Sequence, residues 1–329
     1  RGRPWTMRQY AGFSDAKEFA ELKRLVEDSG LMDKQPAYYT YKILLTLTIY
    51  VLGFSLLLIV DNFPVQLLIA AFLAFAYCQV GFVGHDAGHH AIFNSPRLNV
   101  IAGLVVNFLI SLSQTWWVKE HNQHHRYPND IELDPHVRLP VYAFSQEAAL
   151  KKRGLLRFIV RYQAFYFLPF TLLEGLGIRV AGIQYLVKTR NVKGFLVDAS
   201  LMGLHFSLYF GLLFYIFNPW QVLVFTLVHQ LLFGLYFGLV FAPNHKGMLI
   251  PDRNISLSYL KNQVLTTHNI KPSLFVDLCY GGLNYQIEHH LFTTMPRSNF
   301  GKAREIVKPF CERHGIHYSE AGTLISFKK

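Results

Sequence analysis

Charge is scarce in this 329-residue chain: Asp, Glu, Lys and Arg make up 16% of it, against about 25% for an ordinary soluble domain. Cysteine is scarcer still, with three residues, Cys78, Cys279 and Cys311. They are widely spaced and form no CxxC pair, which argues against a disulfide framework and a cysteine-rich metal site. Lysine and arginine are absent from 43–96 and from 194–245. The formal net charge of +11 is therefore confined to the other segments. That is the positive-inside distribution of a membrane protein, not the basic patch of a nucleic-acid binder. No secretory signal is visible, because the first apolar run comes too late to be one. The chain starts on Arg1 rather than methionine, so its natural N-terminus is expected upstream. What the chain has in quantity is apolar: 51% of residues are hydrophobic and 28 are Phe.

These residues are grouped. ILLTLTIYVLGFSLLLIV (43–60) and VQLLIAAFLAFAYCQVGFVG (65–84) each match one bilayer thickness as a helix. The short link DNFP predicts a hairpin. FLVDASLMGLHFSLYFGLLFYIF (195–217) and WQVLVFTLVHQLLFGLYFGLVFA (220–242), joined by NP, predict a second. Neither link carries a positive charge, so both are expected away from the cytoplasm. The expected fold is all-α and integral to the membrane, with four transmembrane helices in two hairpins and a cytosolic helical cap. A single domain over 1–329 then comprises a cytosolic segment (1–41), the first hairpin (43–84), a cytosolic and interfacial region (85–194), the second hairpin (195–242) and the cap (243–329).

The remaining segments are amphipathic or mixed. SDAKEFAELKRLVEDSGLM (14–32) reads as a helix capped by Ser14 or Asp15, with Phe19, Leu22 and Val26 at helical spacing. LNVIAGLVVNFLISLSQTWW (98–117) is apolar enough to span, yet Asn107, Ser111, Ser113 and Gln114 interrupt it. It is read as lying in the interface or dipping in and back. LLRFIVRYQAFYFLPFTLLEGLGIRVAG (155–182), with Arg157, Arg161 and Glu174, suits the interface better than the bilayer centre. SNFGKAREIVKPFCERHG (298–315) reads as an amphipathic helix with Gly315 past its end.

Histidine supplies the chemistry. It clusters in GHDAGHHAIF (84–93), EHNQHHRYP (120–128) and NYQIEHHLF (284–292). His85 and His89 share a helix face, as do His121, His124 and His125. Gln286, His289 and His290 have the same spacing, and His90 points further round. The two hairpins return the chain to one side, which gathers all three clusters on the cytoplasmic face. A lone histidine is usually structural, but three such clusters on one face are not explained that way. Eight imidazoles exceed what one ion needs, so two ions are expected; iron, copper, nickel and zinc all suit imidazole. Asp86, Glu120, Glu288 and Asp134 are candidates for orienting the rings from behind. Trp116 and Trp117 stand just before the second cluster as candidate walls of an apolar tunnel. His205 and His229, inside apolar helices, read as hydrogen-bonded links between helices. His136 reads as loop, and His314 and His317 as solvated.

HDAGHH, HNQHH and QIEHH resemble the three histidine boxes, HxxxHH, HxxHH and (H/Q)xxHH, of the membrane fatty acid desaturase superfamily. The resemblance runs from about residue 40 to 310 and includes HHLFTTMPR after the third box. It implies a non-haem diiron centre, two Fe ions held by His85, His89, His90, His121, His124, His125, His289 and His290. That centre would use O2 to remove two hydrogens from adjacent methylenes of an acyl-CoA or acyl-lipid. Gln286 in the third box is similar to front-end desaturases and to a group of bacterial acyl desaturases. Gln286 leaves that box one imidazole short. Related architectures place an extra ligand near the end of the fourth span, which favours His245 in APNHKGM, beside Asn244, over His268. Many front-end desaturases carry a fused cytochrome b5 domain with an HPGG motif. No HPGG occurs here, so a separate donor is expected, ferredoxin or cytochrome b5 with its reductase. The resemblance places the protein in a bacterial inner membrane or the endoplasmic reticulum, with its site facing the cytoplasm. A diiron hydroxylase shares the boxes, and product analysis separates the two. A metal-binding transporter or sensor would instead show polar residues along a path and broken helices.

Overall fold

The computed structural model describes residues 16–138, 141–189, 192–251 and 257–328. Ser14 and Asp15, the expected helix caps, lie outside them. In chain order the helices are α1 (Ala16–Asp28), α2 (Pro36–Ile59), α3 (Phe63–Gly88), α4 (Pro96–Ile110), α5 (Gln114–Arg126), α6 (Gln146–Lys151), α7 (Gly154–Arg161), α8 (Gln163–Thr171) and α9 (Glu174–Lys188). They continue with α10 (Val192–Ile216), α11 (Pro219–Phe241), α12 (Tyr259–Thr266), α13 (Leu274–Tyr280), α14 (Gln286–Leu291), α15 (Phe300–Arg313) and α16 (Thr323–Lys328). The strands β1 (Asn269–Ile270) and β2 (Glu320–Ala321) pair in parallel.

Four helices, α2, α3, α10 and the stretch Pro219–Asn244 containing α11, are long and apolar enough to cross a membrane. The protein is an integral membrane protein. The first spanning helix, α2, begins at Pro36 rather than at residue 43, because proline suits the first helical turn and the tyrosine-rich stretch after it continues the helix. Asn62 caps α3, its side chain accepting from the Val65 N–H.

The chain divides into two compact units built from interleaved segments. One unit takes the described residues of Lys34–Lys119 and Tyr166–Leu239. In it Tyr77, Cys78 and Val80 of α3 pack with Val106 and Ile110 of α4 and with Phe233 of α11. A second core joins Leu57 of α2 and Leu73 of α3 to Tyr209, Leu213 and Phe225. The segment expected to dip does bend: α4 and α5 meet at 113°. Helices α8 and α9 meet at 78°. His205 Nδ1 lies 2.8 Å from the Phe108 carbonyl, and His229 Nδ1 lies 2.8 Å from the Tyr209 hydroxyl, so both histidines link helices as expected.

The other unit takes the described residues of Arg1–Asp33, Glu120–Phe165 and Val240–Lys329. Its core joins Leu22 and Val26 of α1, Leu260 and Val264 of α12, Ile287 and Leu291 of α14, and Phe300, Val307 and Phe310 of α15. Gly315, at φ +65°, ends the last of these as the sequence suggests. Leu155 and Phe158 of α7 are exposed between Arg153, Arg157 and Arg161, the pattern of a helix lying in a lipid interface.

Candidate metal centre

The second cluster lies on α5, and His121, His124 and His125 are all buried, so the shared face read from their spacing is the inward face. His124 Nδ1 stands 2.9 Å from Asp134 Oδ2. The fully buried Asp134 also accepts from the backbone N–H of Asn129 (2.8 Å) and of His136 (2.9 Å). A carboxylate here can only accept, so His124 Nδ1 carries the proton and its Nε2 is bare. His245 follows the single turn Ala242–Asn244 that extends α11. Its Nδ1 lies 3.0 Å from the Thr266 carbonyl, which also can only accept. Its Nε2 is therefore bare as well. Burial lowers the His124 pKa to about 3 and the His245 pKa well below the ordinary value, so both rings are neutral.

The two bare nitrogens face each other at 3.2 Å. Two lone pairs at that range repel unless a cation lies between them. Two imidazoles on one ion, with bonds of about 2.1 Å roughly at right angles or wider, hold their nitrogens at about this separation. The donor set fits a metal. His290 joins it: His124, His245 and His290 offer nitrogens that all lie within 4.8 Å of one another. Gln263 orients this third ring. Its Oε1 accepts from His290 Nδ1 at 2.9 Å while its Nε2 donates to the His125 carbonyl at 2.9 Å. Gln286 Nε2 lies 3.1 Å from His245 Nε2, and Asn244 donates to Gln286 Oε1 at 3.2 Å. Three further Nε2 atoms converge, with His125 3.0 Å from both His121 and His289.

His289 and His290 ride on α14, six residues long and too short to hold itself together. Asn269 secures it, with Oδ1 accepting from the Ile287 N–H at 2.8 Å and Nδ2 donating to Glu288 at 2.7 Å. Tyr318 also donates to Glu288, at 2.8 Å. Burial lifts the Glu288 carboxyl to about 7 against those two hydrogen bonds. Among the described residues Glu288 thus bonds Asn269 and Tyr318 rather than an imidazole.

The first cluster ends α3 in the other unit. His85 and His89 are buried with ring centroids 4.7 Å apart. Asp86 lies 3.4 Å from His85 Nδ1 and accepts from the Tyr39 hydroxyl at 2.9 Å. Trp117 sets its edge against both imidazoles, at 5.6 and 6.1 Å. A β-carbon on Gly88 would strike that indole, so glycine is what lets it lie there. Trp116 packs near Gly182. His90 is exposed and left-handed (φ 56°), and its carbonyl accepts from Lys34. No metal-ligand grouping among the described residues includes it. Glu120 is half-buried on α5.

His268 is fully buried, and both its nitrogens meet hydroxyls, Ser319 at 2.8 Å and Ser326 at 2.9 Å. It is occupied elsewhere. His136, read as loop, does sit in a turn, but its ring stacks on His124 with centroids 4.3 Å apart. Sequence reasoning missed Gln263 and Asn129. Asn129 is left-handed (φ 61°) and its amide ties the carbonyls of His245, Leu249 and Thr266 together. Pro128 just before it is the one local hint of a turn.

Residues 62–322 match the family described as fatty acid desaturase. The acyl-lipid (9-3)-desaturase of the moss Physcomitrium patens is 30% identical over 92% of this chain. The alignment covers 59% of that longer protein, so the chain spans well under two thirds of it. The Delta(6) fatty acid desaturase of Caenorhabditis elegans is 32% identical over 92% of this chain and 70% of its own length. The Delta(8) fatty acid desaturase of Euglena gracilis is 30% identical over 94% of this chain and 76% of its own length. With the family's span covering both compact units and every histidine cluster, the chain belongs to the fatty acid desaturase family.

Proposed function

We propose that this protein is an O2-dependent fatty acyl desaturase whose imidazoles hold two iron ions. The observation that carries the reading is the His124–His245 pair, two neutral rings whose bare nitrogens face each other at 3.2 Å. His124, His245 and His290 would hold one ion, with Gln286 beside them as outer support, its Nε2 toward His245 and its Oε1 held by Asn244. His121, His125 and His289 would furnish nitrogens for the other; the resemblance to the family assigns the first-box histidines, His85, His89 and His90, to metal as well. Bound iron would supply the activation of O2 and the removal of one hydrogen from each of two adjacent methylenes.

The chain's own groups prepare for that chemistry. Asp134, the Thr266 carbonyl and Gln263 hold the Nδ1 protons of His124, His245 and His290, so each ring keeps its Nε2 lone pair for the metal. Burial keeps His124 and His245 neutral, so no proton has to leave either before an ion binds. Trp117 covers His85 and His89 with an apolar ring and limits water there. Each double bond consumes one O2, two electrons and two protons and releases two waters. The electrons come from ferredoxin or from cytochrome b5 with its reductase. The substrate is a fatty acyl chain carried on coenzyme A or on a lipid. The relatives differ in the bond their names give, Delta(6), Delta(8) and (9-3). The charge distribution supports a cytoplasmic site, in a bacterial inner membrane or the endoplasmic reticulum.

The two bent helix pairs and the buried Asp198 are features a transporter would also have. Asp198, however, bonds neighbouring helix groups rather than lining a path, which favours the enzyme. The test is expression in a host supplying both electron donors, followed by fatty acid profiling by mass spectrometry. A new double bond that disappears in His245→Ala is expected. A product that keeps an oxygen atom would make the protein a hydroxylase, and an unchanged profile would overturn the reading.

A further inference from the structure

Asp198 is fully buried on the membrane-spanning α10. Its Oδ1 accepts from Asn107 Nδ2 of α4 at 3.0 Å. Its Oδ2 accepts from the Ser113 hydroxyl at 2.6 Å and from the Thr115 N–H at 2.9 Å. Ser113 and Thr115 are where the chain re-enters a helix as α5, after Ser111 turns left-handed (φ 55°). Across the break, the buried Arg179 of α9 donates to the last carbonyl of α4, Ile110, at 2.8 Å. The anion thus meets a helix start and the cation a helix end, each matching the local dipole. The Ser113 hydroxyl also accepts from the Trp116 N–H at 3.2 Å. The next residue is Trp117, whose ring lies against His85 and His89. Helix α5 then runs unbroken to His121, His124 and His125.

A buried carboxylate is costly inside a bilayer, and hydrogen bonds to polar neighbours offset only part of that cost. We infer that Asp198 is a positioning residue for the metal centre: by gripping the bend between α4 and α5, it fixes Trp117 against the first histidine box and sets the start of the helix that carries the second. The inference rests on the desaturase reading only in naming what the metal is for.

The grip works by hydrogen bonding, so asparagine can reproduce it. In Asp198→Asn the amide oxygen takes the donors Ser113 and Thr115, and the amide N–H2 meets Asn107 once that amide turns over. Alanine offers no acceptor. The test is Co(II) titration of the full purified chain in lipid nanodiscs, reading affinity and ligand-field bands. Asp198→Asn is expected to match wild type. Asp198→Ala is expected to bind Co(II) about 10- to 100-fold more weakly, the usual cost of losing outer support, with shifted bands. Should the alanine variant fail to insert, Ser113→Ala removes one of the three bonds and is expected to shift the bands the same way. Wild-type affinity and bands in the folded variant, or an Asp198→Asn as defective as Asp198→Ala, would overturn the inference. Cobalt binding is read without product, so a wild-type protein that binds metal but makes no double bond defeats the desaturase reading alone.

Discussion

Replacing Asp134 by alanine isolates the tautomer argument, because Asp134 supports the His124 ligand nitrogen without presenting one of its own to the His245 side. The change removes the acceptor for His124 Nδ1 at 2.9 Å. The ring is then free to move its proton to Nε2 and to rotate. Loss of such a partner costs about 10- to 100-fold in metal affinity, or about 1.4–2.7 kcal/mol. The Asn129 N–H also loses its acceptor at 2.8 Å and is left in a buried place, which costs the fold about 1–3 kcal/mol. Part of that is offset, because burial raises the Asp134 pKa and makes its ionised form expensive. The assay is a competition titration with a chelator, run on wild type, Asp134→Ala and Asp134→Asn, with thermal unfolding in parallel. The asparagine variant keeps one acceptor for His124 and should fall between the other two. An alanine variant with wild-type affinity would refute the reasoning, because His124 would then need no fixed tautomer.

Elemental analysis after iron-replete expression should find about two iron ions per chain, and a single ion at saturation would contradict the two-metal assignment. His245→Ala should lose metal and double-bond formation, whereas His268→Ala, which removes the hydrogen bonds to the Ser319 and Ser326 hydroxyls, should lose about 1–3 kcal/mol of stability but keep its metal. Metal loss in the second and not the first would reverse that assignment. Arg304 beside Glu320 holds its carboxyl below the usual glutamate value. The resulting stabilisation is present above the unfolded value of about 4.3 and disappears as pH falls through the lowered folded value. Glu320→Gln should therefore destabilise the protein at pH 7 and make no difference in strong acid; an equal loss at both would show that the ion pair contributes nothing. Gly88→Val should displace Trp117 and weaken metal binding, and an unaltered Co(II) spectrum in that variant would remove the indole from the site.

The features legible in the sequence are those set by short-range spacing. The inward face of His121, His124 and His125 follows from helical geometry, and the four spans follow from apolar length. The bend at 98–117 was signalled by Asn107, Ser111, Ser113 and Gln114, although nothing local said that Asp198 would bind two of them. His245 was preferred over His268 on depth and resemblance; the structure adds a reason, since both nitrogens of His268 are engaged by serines. Gln263 and Asn129 were not legible. Gln263 reaches a carbonyl 138 positions away and Asn129 one 120 positions away. An amide reads as an ordinary polar residue until the fold brings its partners to it.

Helix α3 bears His85 on its last turn and His89 at its C-cap, and is also the most enclosed of the four spans. Across its apolar stretch 61% of residues are buried, against 17% in α2, 22% in α10 and 33% in the stretch containing α11. Lipids of different chain length strain a protein through the surface they touch, and the protein answers by tilting its exposed helices or thinning the bilayer around them. In this unit that strain falls on α2 and α10. The helix that carries the first histidine box has little lipid to respond to. A membrane that thickens or fluidises as its acyl composition changes would therefore leave the geometry of His85 and His89 largely undisturbed.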